Sequence, residues 1–264
     1  MKLPLLFFFV LMLTFFARGQ AITQPEQGYL KSYVTDTRDL IVQPVHWRAK
    51  EWVAVGAAAA TFTGLLFADE AIHQFAQKNQ TPAKTWVSTY FAEPIGSGLY
   101  TLPALGILYG TGWLTDNKKN RYVAMKATEA WLLTGGATFV LKQLFHRQRP
   151  NEGVAPNAFI WHGPFALTSN YTSFPSGHTS TAFAVASVVA TSYDEWWIKT
   201  FSYSCASLVG LSRVYDGKHW ASDVFVGALL GWWVGHSIAK NPGALQWGAV
   251  GGQDYFLGTL SLCF

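Results

Sequence analysis

Six apolar stretches, at 52–68, 98–114, 127–145, 179–192, 197–211 and 223–239, occupy much of this 264-residue chain, and each is closed by Gly, Pro, Asn or charged residues. They are too long and too rich in Ala and Leu for strands, so the pattern predicts helices. Helices this apolar must bury one another, and the expected fold is an all-α bundle of about six core helices. Half of the residues are hydrophobic and 13% are charged, with twelve Trp. That balance belongs either to an unusually apolar globular protein or to a membrane-associated one. The length suits one domain with an ample core.

The chemistry is concentrated in three clusters. They run Lys142-Gln-Leu-Phe-His-Arg-Gln-Arg149-Pro150, then Phe174-Pro-Ser176-Gly177-His178-Thr, then Ser212-Arg213-Val-Tyr-Asp-Gly-Lys-His219-Trp-Ala-Ser-Asp223. Together they hold three cations, two histidines, a carboxylate and a Ser-Gly turn, the inventory for holding a tetrahedral oxyanion and attacking it. Lys142 is a point charge, while Arg149 and Arg213 are planar forks suited to phosphate oxygens. Lys142 and Arg149 are seven residues apart, so a helix continuing through both would place them on one face, with Pro150 ending the turn. Ser176, Gly177 and His178 directly precede an apolar helical run. Their amides should point outward at a helix N-terminus, Gly177 letting an oxyanion approach and Ser176 both capping and donating to phosphate.

His219 and Asp223 are four apart at the start of the last helix, where the carboxylate is expected beside the ring, fixing its tautomer. A metal site is the rival for two histidines and a carboxylate, but three surrounding cations would repel a divalent ion. Plainer readings exist for single residues: a cation satisfying helix-end carbonyls, or Ser176 as a simple N-cap. His146 and Arg147 read as supporting or surface residues, Asp216 and Lys218 as loop-shaping, and His46, His73, His162 and His236 as structural. The segment 151–174, with Phe159, Trp161, Phe165 and Tyr171, is expected to border the site mouth, either holding a lipid chain or packing.

The three clusters resemble the type 2 phosphatidic acid phosphatase superfamily, which also includes bacterial class A acid phosphatases, glucose-6-phosphatase and the vanadium haloperoxidases. The pattern is Lys, six residues, Arg-Pro; then Pro-Ser-Gly-His; then Ser-Arg, five residues, His, three residues, Asp, and every fixed position is filled. The resemblance covers about a third of the chain. It implies a phosphate site at one end of the bundle, with His219 as nucleophile forming a phosphohistidine and His178 as general acid and base. It also implies Asp223 in support of His219, and phosphate bound by Lys142, Arg149, Ser176, Gly177 and Arg213, with neither metal nor cofactor. The substrate would be a phosphate monoester: a lipid, an isoprenoid phosphate or a small soluble ester. Vanadate fits the same oxyanion site, so a haloperoxidase is the alternative, although the small domain leaves little room for it. A non-catalytic envelope protein on the same scaffold is the third reading.

At the N-terminus Lys2, an apolar run from Leu3 to Phe16 and Ala17-Arg18-Gly19 match a secretory signal cut near residue 19, or an uncleaved anchor. Either form exports the chain, to the periplasm or the periplasmic face of the inner membrane. The division that follows is a signal at 1–19, an arm at 20–51, the phosphatase-like domain at 52–240 and a tail at 241–264. In the arm Thr35 to Asp39 suggest a helix start and Pro44 a stop. The tail alternates weakly, as a short strand or a packed segment. Cys205 and Cys263 would be able to pair in an oxidising compartment, but core packing suits Cys205 better. The net charge of +4 is spread without a basic stripe, which argues against nucleic acid. Charged residues trim the apolar windows to about twelve to seventeen residues, short of a span. A wholly periplasmic bundle satisfies the charge rule for topology, and so does one in which 52–68 lies against the membrane and later helices cross it.

Overall fold

The computed structural model describes residues 28–152, 155–165, 171–240, 246–252 and 255–261. The signal-like segment 1–19, the end of the tail and Cys263 lie outside them. In chain order the elements are α1 (Tyr29–Val42), a 3-10 turn (Gln43–His46), α2 (Ala49–Lys78), α3 (Pro82–Val87), a π turn (Ser88–Ala92), α4 (Glu93–Gly96), α5 (Gly98–Leu114), α6 (Lys118–Phe145), a 3-10 turn (Gly163–Phe165), α7 (Gly177–Ser192), α8 (Trp196–Tyr215), α9 (Ala221–Lys240), β1 (Gln246–Gly252) and β2 (Tyr255–Ser261). The domain is an all-α bundle, and each of the six apolar stretches is a helix in it. The weakly alternating tail forms an antiparallel hairpin, paired from Gln246 with Ser261 to Gly252 with Tyr255.

α7 is the central rod, packed against α6, α8 and α9. Its approach to α9 is set by glycine: a Cβ at Gly231 would lie 2.0 Å from the Ser180 carbonyl oxygen, and one at Gly235 2.2 Å from that of Ala184. These two positions let α9 lie against the α7 backbone, where any side chain would force the helices apart. Around this seam Leu108, Val123, Ala127, Ala184, Val188, Ile198, Val234 and Ile238 form the buried core.

The arm departs from expectation. Thr35 to Asp39 lie in the middle of α1 rather than at its start. Asp36 turns inward, accepting a hydrogen bond from Lys126 Nζ at 2.8 Å, while Lys126 also reaches Glu129 at 3.0 Å. Ser32 Oγ completes the contact at 2.9 Å from Glu129. A polar face of α1 is thus buried against α6, and Leu30, Val34, Ile41 and Val45 are left outside. Along α2 the most apolar window has no buried residue, and this is the one described helix long and apolar enough to cross a membrane.

Candidate active site

The site forms where the C-terminal end of α6, the N-terminal ends of α7 and α9 and the last turn of α8 meet. α6 stops one turn earlier than a helix through Arg149 would require: His146 takes a left-handed backbone, φ 42°, and caps it. Arg147 then pairs with Trp161 in an isolated β-bridge. Lys142 and Arg149 therefore do not share a helix face. They meet instead at Thr172, where Lys142 Nζ donates to the carbonyl and Arg149 Nη2 donates to Oγ1 at 2.9 Å.

Lys142, Arg149, Arg213, His178 and His219 face one another electrostatically. Burial lowers the Lys142 amine to about 8, and Arg149 adds to the effect. Burial, then Arg213, Lys142 and Arg149, push His178 down to about 4. His219 is held well below the ordinary histidine value by burial first, then by Lys142 and Arg149, with His178 a further contributor. A convergence of cations on two neutral rings is costly, and it persists where an anion is to be bound. Arg149 Nε is buried with no hydrogen-bond partner. Arg213 leans on its own turn, Nη2 reaching Asp216 at 3.0 Å and Nε reaching Ser212 at 3.1 Å.

Ser176 and Gly177 sit at the start of α7. Ser176 is the N-cap residue but makes no side-chain cap; its hydroxyl lies 2.9 Å from Thr179 Oγ1 and is wholly buried. The capping role expected of its side chain is therefore absent, because the neighbouring threonine takes the hydroxyl. An added Cβ at Gly177 would meet only ordinary contacts, 3.7 Å from Thr138 and 3.8 Å from the Lys142 chain. Protein packing does not demand this glycine; it keeps open the space beside the lysine.

His219 Nδ1 lies 2.7 Å from the carbonyl oxygen of Ser173. A carbonyl only accepts, so Nδ1 carries the hydrogen and Nε2 the lone pair. This corrects the expected pairing with Asp223, whose carboxylate is taken by other donors: Arg147 Nη1 at 2.6 Å, Ser173 Oγ at 2.5 Å and the Trp220 amide at 2.9 Å. Asp223 lies in the first turn of α9, where it is wholly buried and accepts from the Trp220 amide just before the helix.

Residues that the motifs did not single out complete the site. Arg147 is fully buried and joined to Asp69 of α2 at 2.8 Å. Gly96 closes the wall beside His178: a Cβ there would fall 3.0 Å from His178 Cβ and 2.6 Å from Val209 Cγ1. In the aromatic loop Trp161 packs against Phe145 and Phe174, and Tyr171 against His162, while Phe159 is half-exposed beside Phe67 of α2. A carboxylate and a histidine one turn apart just past the apolar stretch 52–68, Asp69 and His73, were the available sequence signal.

Residues 123–247 match the family model of the PAP2 superfamily. Lipid A 1-phosphatase of Porphyromonas gingivalis is 36% identical over 155 residues, 55% of this chain and 31% of that protein. A probable diacylglycerol pyrophosphate phosphatase of Schizosaccharomyces pombe is 29% identical over 198 residues, 64% of this chain and 67% of that one. The chain thus spans about a third of the Porphyromonas relative. Among solved structures, a transmembrane PAP2-type phosphatidylglycerolphosphate phosphatase from Bacillus subtilis shares the fold, with a TM-score of 0.51 at 24% identity over 69% of this chain and 92% of that one. All three motifs fall inside residues 123–247, the span that matches the PAP2 superfamily model, and the Bacillus structure shares the helical fold.

Proposed function

We propose that this chain is a cell-envelope phosphatase that cleaves phosphate monoesters, lipid phosphates foremost, through a phosphohistidine on His219. One observation carries the reading: His219 offers its Nε2 lone pair beside Lys142 and Arg149, and Arg149 Nε is buried with no hydrogen-bond partner. Phosphate oxygens bound by Lys142, Arg149 and Arg213 would present phosphorus to Nε2. Attack forms the N–P bond and breaks the P–O ester bond, and the departing alkoxide takes a proton from His178. His178, now neutral, removes a proton from water; the resulting hydroxide attacks phosphorus and breaks the N–P bond, regenerating His219. The low value of His178 in the free protein suits the second step, and the charge of a bound phosphate raises it for the first. The protons pass from His178 to the leaving alkoxide and from water to His178, and neither step asks for a metal, so EDTA is expected to leave turnover intact.

The lipid preference draws support from the uncovered apolar surface of α2, which we read as the segment that enters the bilayer, and from the lipid substrates named for the relatives. On this reading the site opens on the exported side, and an impermeant thiol reagent should label a Cys placed at exposed Asn157; protection there would refute that orientation. The enzymatic test is a rapid quench with labelled lipid phosphate. The wild type should yield an acid-labile protein phosphate and His219→Gln neither that adduct nor turnover. Substantial turnover by His219→Gln would overturn the assignment.

A further inference from the structure

Arg147 is fully buried and fully engaged. Its Nε donates to the Ala158 carbonyl at 3.1 Å, Nη1 to Ser222 Oγ at 2.7 Å and Asp223 at 2.6 Å, and Nη2 to Asp69 at 2.8 Å and Ala158 at 2.8 Å. That uses all five N–H groups of a guanidinium. The Trp161 and Trp220 rings lie 4.7 and 5.5 Å from its central carbon. Asp69 is held in turn by the Ser222 amide at 2.9 Å and by the Ser222 hydroxyl. Three fully buried charges are a poor way to stabilise a fold, because their desolvation offsets most of their attraction and apolar residues of like volume often do as well. What they do is orient.

Ser173 is gripped twice by this assembly. Its amide donates to the Arg147 carbonyl at 3.0 Å, and its hydroxyl donates at 2.5 Å to Asp223, whose other oxygen Arg147 holds. The carbonyl of the same serine is the acceptor for His219 Nδ1. The path from Asp69 through Arg147, Asp223 and Ser173 to the ring consists wholly of hydrogen bonds between groups with little freedom to move. Two carboxylates against one guanidinium also leave a net negative charge, behind a ring that becomes cationic once Nε2 is phosphorylated.

We propose that Asp69 and Arg147 are positioning residues for His219, acting through Asp223 and Ser173 to hold its Nδ1–H tautomer and to offset the charge that the ring acquires. The inference rests on the reading of His219 as the nucleophile. Arg147 occupies no fixed position of the motif, and Asp69 lies on α2, outside the span that the family model matches.

The test uses the full chain with Asp69→Asn, which keeps the shape of the contact and removes one charge, and with Ser173→Ala, which removes only the hydroxyl. For Asp69→Asn, kcat on a lipid phosphate should fall about 10- to 100-fold, while KM and the inhibition constant of inorganic phosphate stay within about twofold, because Lys142, Arg149 and Arg213 are untouched. Ser173→Ala should show the same split with a smaller loss. Nitrogen-15 shifts of the His219 ring should report one Nδ1–H tautomer in the wild type and a mixture in Asp69→Asn. Wild-type kcat and an unchanged ring signature in both variants would overturn the proposal. So would a joint loss of kcat, phosphate affinity and thermal stability with the tautomer unchanged, the pattern of a merely structural contact. If Asp69→Asn fails to fold, Ser173→Ala decides by the same readouts. A wild type that releases no phosphate would sink the phosphatase reading, while the ring signature would still decide the positioning role.

Discussion

Two arginines separated by one residue have opposite circumstances. Arg147 spends every donor on protein acceptors, between two carboxylates and two indoles. Arg149 keeps its Nε buried without a hydrogen-bond partner, the Glu152 carboxylate standing 4.0 Å from it, and shares one threonine with Lys142. A saturated cation leaves nothing for a ligand, whereas an unsatisfied one carries a desolvation cost that a bound anion relieves. The difference separates framework from binding site within a single loop, although by residue type and sequence position the two are nearly equivalent.

The hardest way to press the comparison is to remove the saturated cation. Arg147→Met strands Asp69 and Asp223 in the interior and should cost about 3–5 kcal/mol of stability, read as a large drop in melting temperature; a melting temperature near wild type would mean that the node is dispensable. Arg149→Ala should do the reverse, reducing kcat/KM roughly 100- to 1,000-fold with the melting temperature held, since its one carboxylate partner, Glu152, is 4.0 Å away and part-exposed. A parallel loss of stability would place Arg149 in the framework as well.

A pH profile sharpens the same point. Lys142 is charged below about 8 and neutral above it, so phosphate capture weakens as pH rises through that value. The limb should appear in kcat/KM, which reports the free protein, and Lys142→Arg should move it beyond the measurable range. An unmoved limb would assign it to another group. The smallest effect is expected at the arm. Burial pushes Glu129 up to about 7 against the opposing pull of Lys126, so its value is higher when the arm is docked. Docking is then strongest below the ordinary carboxylate range and weakens as pH rises through about 7. Amide exchange in α1 should quicken by roughly tenfold or less across that interval, and Glu129→Gln should abolish the dependence.

Much of the fold was legible because each core helix is apolar along most of its length and ends in a recognisable break. α5 coincides with its apolar stretch, and α7 and α9 begin within two residues of theirs. The π-interrupted segment from Pro82 to Gly96 was not legible. It is short and mixed in composition, and Tyr215 Oη, the Tyr215 carbonyl and Asp216 tie its residues and those just before it to the end of α8. The inward polar face of α1 escaped for a related reason: a buried ion pair with α6 looks, in sequence, like a solvated turn.

By itself the sequence determined the bundle class and named Lys142, Arg149, His178, Arg213 and His219 as the candidate set for an oxyanion, because chemistry restricts which side chains can hold and attack one, and their local spacing shows which turn carries them. Only the tertiary structure decided which groups those side chains meet. It gave the His219 proton to a backbone carbonyl, paired Asp223 with Arg147, and brought Asp69 from a helix more than seventy residues earlier into the same network. Such partners are chosen by the packing of distant backbones, and no local pattern along the chain encodes a contact of that kind.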